Sequence, residues 1–254
     1  MKIILSGEGS SDLGTYILTE NGKVFKPGPM AWIVDKLLEN YHTSYSLLDN
    51  HSIGGNCVIY VDKGKLAAFS KKGTTTSLPG FKHGRGNLFF ASNAQSLGLY
   101  AKKVSENEPD IAIIAVLFRD GDGTNSKKEW NHKLESIRDG FVQVKFLTGV
   151  PMVPNPKSEA WMICALRTPA YSDCASLEDE SGNDNSSNPL KDQLARLCGG
   201  LHPTAETQAD WVKEGMVDPS RIEMPSFSVF KEDLRKAARN AGFSDLCHSD
   251  DANR

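Results

Sequence analysis

Ile111-Ala112-Ile113-Ile114-Ala115-Val116-Leu117-Phe118 is an uninterrupted run of eight apolar residues, and Arg119-Asp120-Gly121-Asp122-Gly123 follows it at once. A run this short, bounded by turn residues, reads as a strand covered on both faces, as at the centre of a parallel sheet. It is also the longest apolar run in the chain. A helix crossing a bilayer needs about 20 such residues, so no membrane span is expected.

Working outward, 2–6 is a second short apolar strand, and it ends in Gly7-Glu8-Gly9. Pro27-Gly28-Pro29 breaks the chain, after which Met30, Ile33, Val34, Leu37 and Leu38 recur at helical spacing. Residues 57–70 read as a two-strand ribbon turned at Lys63-Gly64, 74–86 as a glycine-rich loop, and 88–105 as a helix. Beyond the apolar run, 125–138 is helix-like and 141–146 reads as another strand. After Pro154-Asn155-Pro156, 157–167 reads as a helix capped by Ser158. Helical patterns follow at 190–198, 204–215 and 228–241. The alternation of strands and helices predicts an α/β sandwich with a mainly parallel central sheet and a C-terminal helical extension. The expected division is a catalytic domain over 1–167, an acidic surface loop over 168–189 and the helical extension over 190–254.

The chain has 254 residues, 39% hydrophobic and 24% charged, with a formal net charge of −3. That composition is globular and excludes collagen-like, coiled-coil and disordered classes. The N-terminal apolar stretch is too short for a signal-peptide core, so a cytoplasmic protein is expected. The five cysteines are scattered, with no Cys-x-x-Cys, and read as reduced packing residues. No pair of the six histidines has zinc-ligand spacing.

Charge is distributed unevenly. Residues 63–105 carry Lys63, Lys65, Lys71, Lys72, Lys82, Arg85, Lys102 and Lys103 with no acid, whereas 168–189 carry Asp173, Glu178, Asp179, Glu180 and Asp184 with no Lys or Arg. The basic tract suits a polyanion, because clustered cations displace the counterions condensed on phosphates. Lys71, Lys72, Lys82 and Arg85 are its candidate nucleic-acid contacts.

Two acidic clusters follow strands: Gly7-Glu8-Gly9-Ser10-Ser11-Asp12 and Asp120-Gly121-Asp122. In open parallel sheets the ligand crevice lies outside the carboxyl ends of the strands, so both clusters are expected on the same side. Converging carboxylates call for a cation, and hard divalent ions take oxygen ligands. Three other known motifs share part of these patterns. An EF-hand loop begun at Asp120 would place Asn125 where glycine belongs and Asn131 where the bidentate Glu belongs. A haloacid-dehalogenase phosphatase would use Asp120 as nucleophile, with Asp122 and Thr124 completing its motif, but no later Gly-Asp cluster follows. A phosphate-cradling loop at Gly7-Glu8-Gly9 lacks the Gly-Lys-Ser/Thr that should come next.

Strand–Gly-Glu-Gly-Ser-Ser-Asp and, much later, strand–Asp-Gly-Asp-Gly resembles the TOPRIM fold shared by primases, topoisomerases and the OLD-type nucleases. Val150-Pro151-Met152-Val153-Pro154, Lys157-Ser158-Glu159-Ala160-Trp161-Met162 and Met224-Pro225-Ser226-Phe227-x-x-Phe230 are similar to segments of small stand-alone TOPRIM proteins encoded beside ATPases in bacterial anti-phage systems. The resemblance implies a TOPRIM-like Rossmannoid sandwich holding one or two Mg²⁺ or Mn²⁺ ions. Glu8, Asp12, Asp120, Asp122 and Glu159 would be the metal ligands, with Glu8 also a general acid/base. A lysine that stabilises the transition state would be Lys157 or Lys191, and spacing does not choose between them. The activity implied is cleavage of nucleic-acid phosphodiesters, DNA before RNA, by an effector subunit working with an ATPase partner. A homo-oligomer is compatible with it. The alternatives are the phosphatase built on Asp120 and a non-catalytic TOPRIM-like binding subunit.

Overall fold

A computed structural model describes residues 1–9, 11–20, 22–72, 85–121 and 127–244, without the side chains of 70–72 and 85–88. Among these residues β1 (Lys2–Ser6), β4 (Val58–Tyr60), β5 (Ile113–Phe118) and β6 (Gly149–Met152) form a parallel sheet in the order β4-β1-β5-β6. The strands β2 (Gly14–Thr19) and β3 (Gly22–Pro27) pair antiparallel as a separate ribbon. The helices are α1 (Pro29–Leu38), α2 (Leu47–Ser52), α3 (Lys63–Lys72), α4 (Arg85–Asn107), α5 (Lys127–Gln143), α6 (Ser158–Leu166), α7 (Leu190–Leu197), α8 (Ala205–Lys213) and α9 (Pro225–Asn240). The expected α/β class with a parallel sheet is therefore present. No helix of the described residues is long and apolar enough to cross a membrane.

Side chains alternate across a strand, and here both faces are apolar. Ile3, Leu5, Ile114, Val116, Phe118, Val150 and Met152 pack with α1, α6 and α9, whereas Ile4, Ile113, Ala115 and Leu117 pack with α4 and α5. Each of these side chains other than Ala115, fully buried, contributes about 1.5–3 kcal/mol. The connection from β1 to β4 runs one way along the sheet and passes over the first face. The connections from β4 to β5 and from β5 to β6 run the other way over the second face. Right-handed crossovers require that division. The switch in direction falls between β1 and β5, which pair from Lys2↔Ile113 to Ser6↔Leu117.

The C-terminal helices share the first core. Trp161 of α6 is fully buried with its ring 4.7 Å from Phe227 and 5.9 Å from Phe230 of α9, centroid to centroid. The segment between them is stitched down as well: Glu178 accepts hydrogen bonds from Ser226 N at 2.6 Å and Asn155 Nδ2 at 3.3 Å. The first of these satisfies an orphan donor at the start of α9.

Four local expectations are corrected. Residues 57–70 are not a ribbon, because after β4 Asp62 caps α3: its Oδ1 accepts from Lys65 N at 2.9 Å and its carbonyl from Leu66 N at 3.0 Å. Residues 141–146 are not a strand but the end of α5, closed by a Schellman motif. Lys145 takes a positive φ of 52°, and Phe146 N bonds Phe141 O at 3.0 Å while Lys145 N bonds Val142 O at 2.8 Å. Val142, Val144 and Phe146, each two residues from the next, imitate strand spacing. The last strand instead lies at Gly149–Met152, with Pro151 tolerated on an edge. Third, Ser158 is the first helical residue of α6, not its cap; the N-cap position is Lys157. Fourth, Cys164 and Cys174 form a disulfide. The chain doubles back after α6, with Tyr171 N on Cys164 O at 2.8 Å, and brings together two thiols whose sequence positions give no sign of it. Cys57 and Cys198 are free, and Cys247 lies outside the described residues.

The β2–β3 ribbon had no counterpart in the sequence reading, although the Asn21-Gly22 dipeptide is a hairpin signal. Tyr16 and Phe25 of the ribbon pack on Tyr60 at the end of β4, with centroids 6.0 and 5.5 Å away.

Candidate active site

Glu8 and Asp120 each follow their strand by two residues, on strands that are direct neighbours. Both therefore leave the sheet at its carboxyl end, at the switch point, where open α/β sheets bind ligands. The loops are placed by close backbone contacts. A Cβ on Gly121 would sit 2.5 Å from the carbonyl oxygens of Pro154 and Pro156, so only glycine lets the β5 loop pass that segment. A Cβ on Gly28 would meet Asp12 O at 2.3 Å, and Met30 N donates to that same carbonyl at 2.9 Å, pinning Asp12 to the start of α1. Lys133 of α5 donates to Asp120 O at 2.7 Å and lies over the Phe90 ring.

Ser158 joins the two acidic loops. Its backbone N–H donates to Asp120 Oδ1 at 3.1 Å, and its hydroxyl donates to Asp12 Oδ1 at 3.3 Å. The positive end of α6 thus receives a carboxylate from a loop 38 residues upstream in place of a local cap. Glu159, next in α6, has its Oε2 buried with no hydrogen-bond partner among the described residues. Burial raises the pKa of both Asp12 and Glu159 above the usual carboxylate range. The Ser158 bond opposes this at Asp12, and the charges of Lys157 and Lys191 oppose it at Glu159. Asp12 and Glu159 each also feel the other acids: Glu8 raises Asp12, and Asp12 raises Glu159.

Arg119 was not singled out in the sequence, yet it is fully buried between the two loops. Its Nε lies 3.3 Å from Glu8 Oε1, its Nη1 donates to Phe118 O at 2.6 Å, and its backbone N–H donates to Met152 O at 3.0 Å. Burial lowers its pKa, and the nearby Glu8 carboxylate works in the opposite direction. The sequence signal was available: an arginine directly after an all-apolar central strand must be buried at its root and needs a counter-charge.

The two candidate lysines meet on one carboxylate. Lys157 Nζ is 2.7 Å from Asp184 Oδ1 and Lys191 Nζ is 2.9 Å from Asp184 Oδ2. These bonds, Lys157's first, lower the pKa of Asp184, and the Asp184 bond raises that of Lys191. The structure thus brings Glu8, Asp12, Asp120, Glu159, Lys157 and Lys191 to one end of the sheet, and adds Arg119, Ser158 and Asp184.

Asp122 and Lys82, and the side chains of Lys71, Lys72 and Arg85, lie outside the described residues. The basic tract is divided by the fold. Helix α4 is about 34 Å long and carries Lys102 to the far end of the sheet, where its Nζ bonds Val144 O at 3.3 Å.

The donor set is carboxylate oxygen throughout, with one buried oxygen left without a partner, which is the chemistry of a hard divalent cation. Among the described residues no group of three or more His, Cys, Asp or Glu side chains is drawn close enough to hold an ion. The chain matches no family model, no curated protein and no solved structure, so the reading of this site rests on its own geometry.

Proposed function

We propose that the chain is a Mg²⁺- or Mn²⁺-dependent nuclease of the TOPRIM type, hydrolysing nucleic-acid phosphodiesters, DNA in preference to RNA. The observation that carries this reading is Ser158, whose N–H and hydroxyl tie Asp120 and Asp12 together at the switch point. Acids from the β1 loop, the β5 loop and the start of α6 lie at this one end of the sheet, and a concentration of negative charge there favours cations. Glu8, Asp12, Asp120, Asp122 and Glu159 would hold the metal. When bound, a divalent ion activates water and neutralises charge on the scissile phosphate.

The chain's own residues do the remaining work. Ser158 and the α6 N-terminus orient Asp120, and Arg119 sets Glu8, the candidate proton acceptor, against a fixed counter-charge. Burial raises the pKa of Asp12 and of Glu159, and the charge of a bound cation would oppose that shift. Lys157 and Lys191 supply positive charge toward a bound phosphate. The sequence has no Walker motif, so any ATP use that accompanies cleavage would come from a separate partner protein.

The test is cleavage of supercoiled plasmid and single-stranded DNA with Mg²⁺ or Mn²⁺, with and without any ATPase encoded beside this chain. Asp120→Ala and Glu8→Gln should each reduce cleavage by about 10²–10³-fold. Loss of phosphomonoester hydrolysis in Asp120→Asn, with activity retained in Glu8→Gln, would replace this reading with the phosphatase. Absence of cleavage in every combination would leave a non-catalytic subunit.

A further inference from the structure

We propose that Lys157 and Lys191 form a phosphate-binding subsite beside Glu159, and that Asp184 occupies it as a built-in carboxylate plug. This inference rests on the phosphodiester-cleaving reading for its biological sense, but the subsite has its own physical grounds. Two ammonium groups from different elements, one before α6 and one on α7, converge on the two oxygens of a single carboxylate, at 2.7 and 2.9 Å. Lysine ammonium groups bind phosphate oxygens in the same way, as point charges without fixed orientation. The Lys157 side chain is only 6% exposed, and a cation buried to that extent is stabilised by an anion beside it. The anion bonded to it at 2.7 Å is an exposed one: the Asp184 side chain is 47% exposed, on the acidic segment.

The pair also borders the acids, since the charges of both lysines act on the Glu159 carboxyl group. A phosphate seated between the two ammoniums would therefore lie next to the proposed metal ligands.

The segment bearing Asp184 is held mainly by contacts that lie to either side of that residue. Its shoulders are held on α7, where Gln193 Nε2 donates to Glu180 Oε2 and to Asn188 O, each at 3.1 Å. Between those shoulders the segment turns on itself, with Asn185 N on Asn183 Oδ1 at 2.9 Å. The hydrogen bonds of the Asp184 side chain go to the two lysines. Displacing the carboxylate leaves both shoulders intact and breaks two ion pairs, one of them between half-exposed groups of the kind that contribute little to stability. An arriving phosphate replaces one anion by another of higher charge, so the lysines never face the interior unpaired.

The experiment uses the whole chain in the presence of a chelator. Inorganic phosphate is titrated by calorimetry into wild type, Asp184→Asn, Asp184→Asn/Lys191→Gln and Asp210→Asn, the last removing an exposed acid on α8 as a charge-matched control. Asp184→Asn should tighten phosphate binding about tenfold, the double variant should lose that gain, and Asp210→Asn should leave affinity unchanged. A short single-stranded DNA oligonucleotide followed by fluorescence anisotropy should show the same order. A gain for phosphate but not for the oligonucleotide keeps the subsite and assigns it to small phosphate esters.

Asp184→Asn binding no tighter than Asp210→Asn, or a gain that survives Lys191→Gln, overturns the proposal. Metal-dependent cleavage by the wild type together with no phosphate gain ends the plug and leaves the nuclease standing. A phosphate gain without any cleavage does the reverse.

Discussion

Asp35 is as buried as any acid in the molecule, yet it belongs to the architecture and not to the site, and the difference lies in its hydrogen bonds. Ser46 Oγ, Leu47 N and Leu48 N donate to it at 2.6, 2.7 and 3.1 Å, so its two oxygens close the start of α2. Burial nevertheless pushes its pKa up to about 6. The folded state then holds a proton that the unfolded chain releases near 3.8, so this contribution to stability is complete below 3.8 and lost as pH rises through about 6. Asp35→Asn should gain stability relative to wild type between about pH 4 and pH 7 in paired denaturant melts; parallel pH profiles would refute this. Asp35→Ala should cost about 1–3 kcal/mol through the unsatisfied donors it leaves. The site acids were legible in the sequence because position after a strand is a local property. Asp35 was not, since it sits amid the apolar pattern of α1. Ser158, Arg119 and Asp184 were missed for a different reason: each acts through a partner that only the fold supplies, 146 residues away in the case of the Ser158–Asp12 bond.

Helices α4 and α5 show the same limit one scale up. Their existence follows from apolar periodicity, but their separation does not, and it is set by two glycines. A Cβ on Gly140 of α5 would come within 2.4 Å of Ala91 O and 2.7 Å of Ala94 Cβ in α4, and one on Gly98 of α4 would meet Val144 Cγ2 at 2.7 Å. Alanine in a helix interior is favoured over glycine by about 1 kcal/mol, whereas forcing a methyl group into a closed contact costs about 1–3 kcal/mol. At Gly140 the obstacle is backbone, which cannot rotate away, so the packing cost should win. Gly140→Ala is expected to lower the unfolding free energy by about 1–2 kcal/mol; a thermally stabilised variant would show that α4 and α5 can slide apart at no cost. The elements misread from sequence, 57–70 and 141–146, failed at their ends, where a capping Asp62 and a Schellman turn at Lys145 overrode apolar spacing that suits a strand equally well.

In the whole molecule the striping of polar and apolar residues was enough to give a parallel α/β sandwich, because a strand buried on both faces leaves few other architectures. It did not show that the C-terminal helices complete the core. Phe230 of α9 stacks on Trp161 within the first face of the sheet. Phe230→Ala should cost about 3–5 kcal/mol and shift Trp161 emission to longer wavelength before global unfolding. A loss below 1 kcal/mol, about that of a surface substitution, would mean that α9 is peripheral. The pairing of β1 with β5 carries a last consequence. Glu8 and Asp120 hang from the two innermost strands, whose backbone pairs are the kind that open only with the entire molecule. The roots of both loops are accordingly insulated from fast local opening for as long as the protein remains folded. The plug proposed at Asp184 would then be the moving bank of the crevice, displaced against loops whose roots stay paired in the sheet.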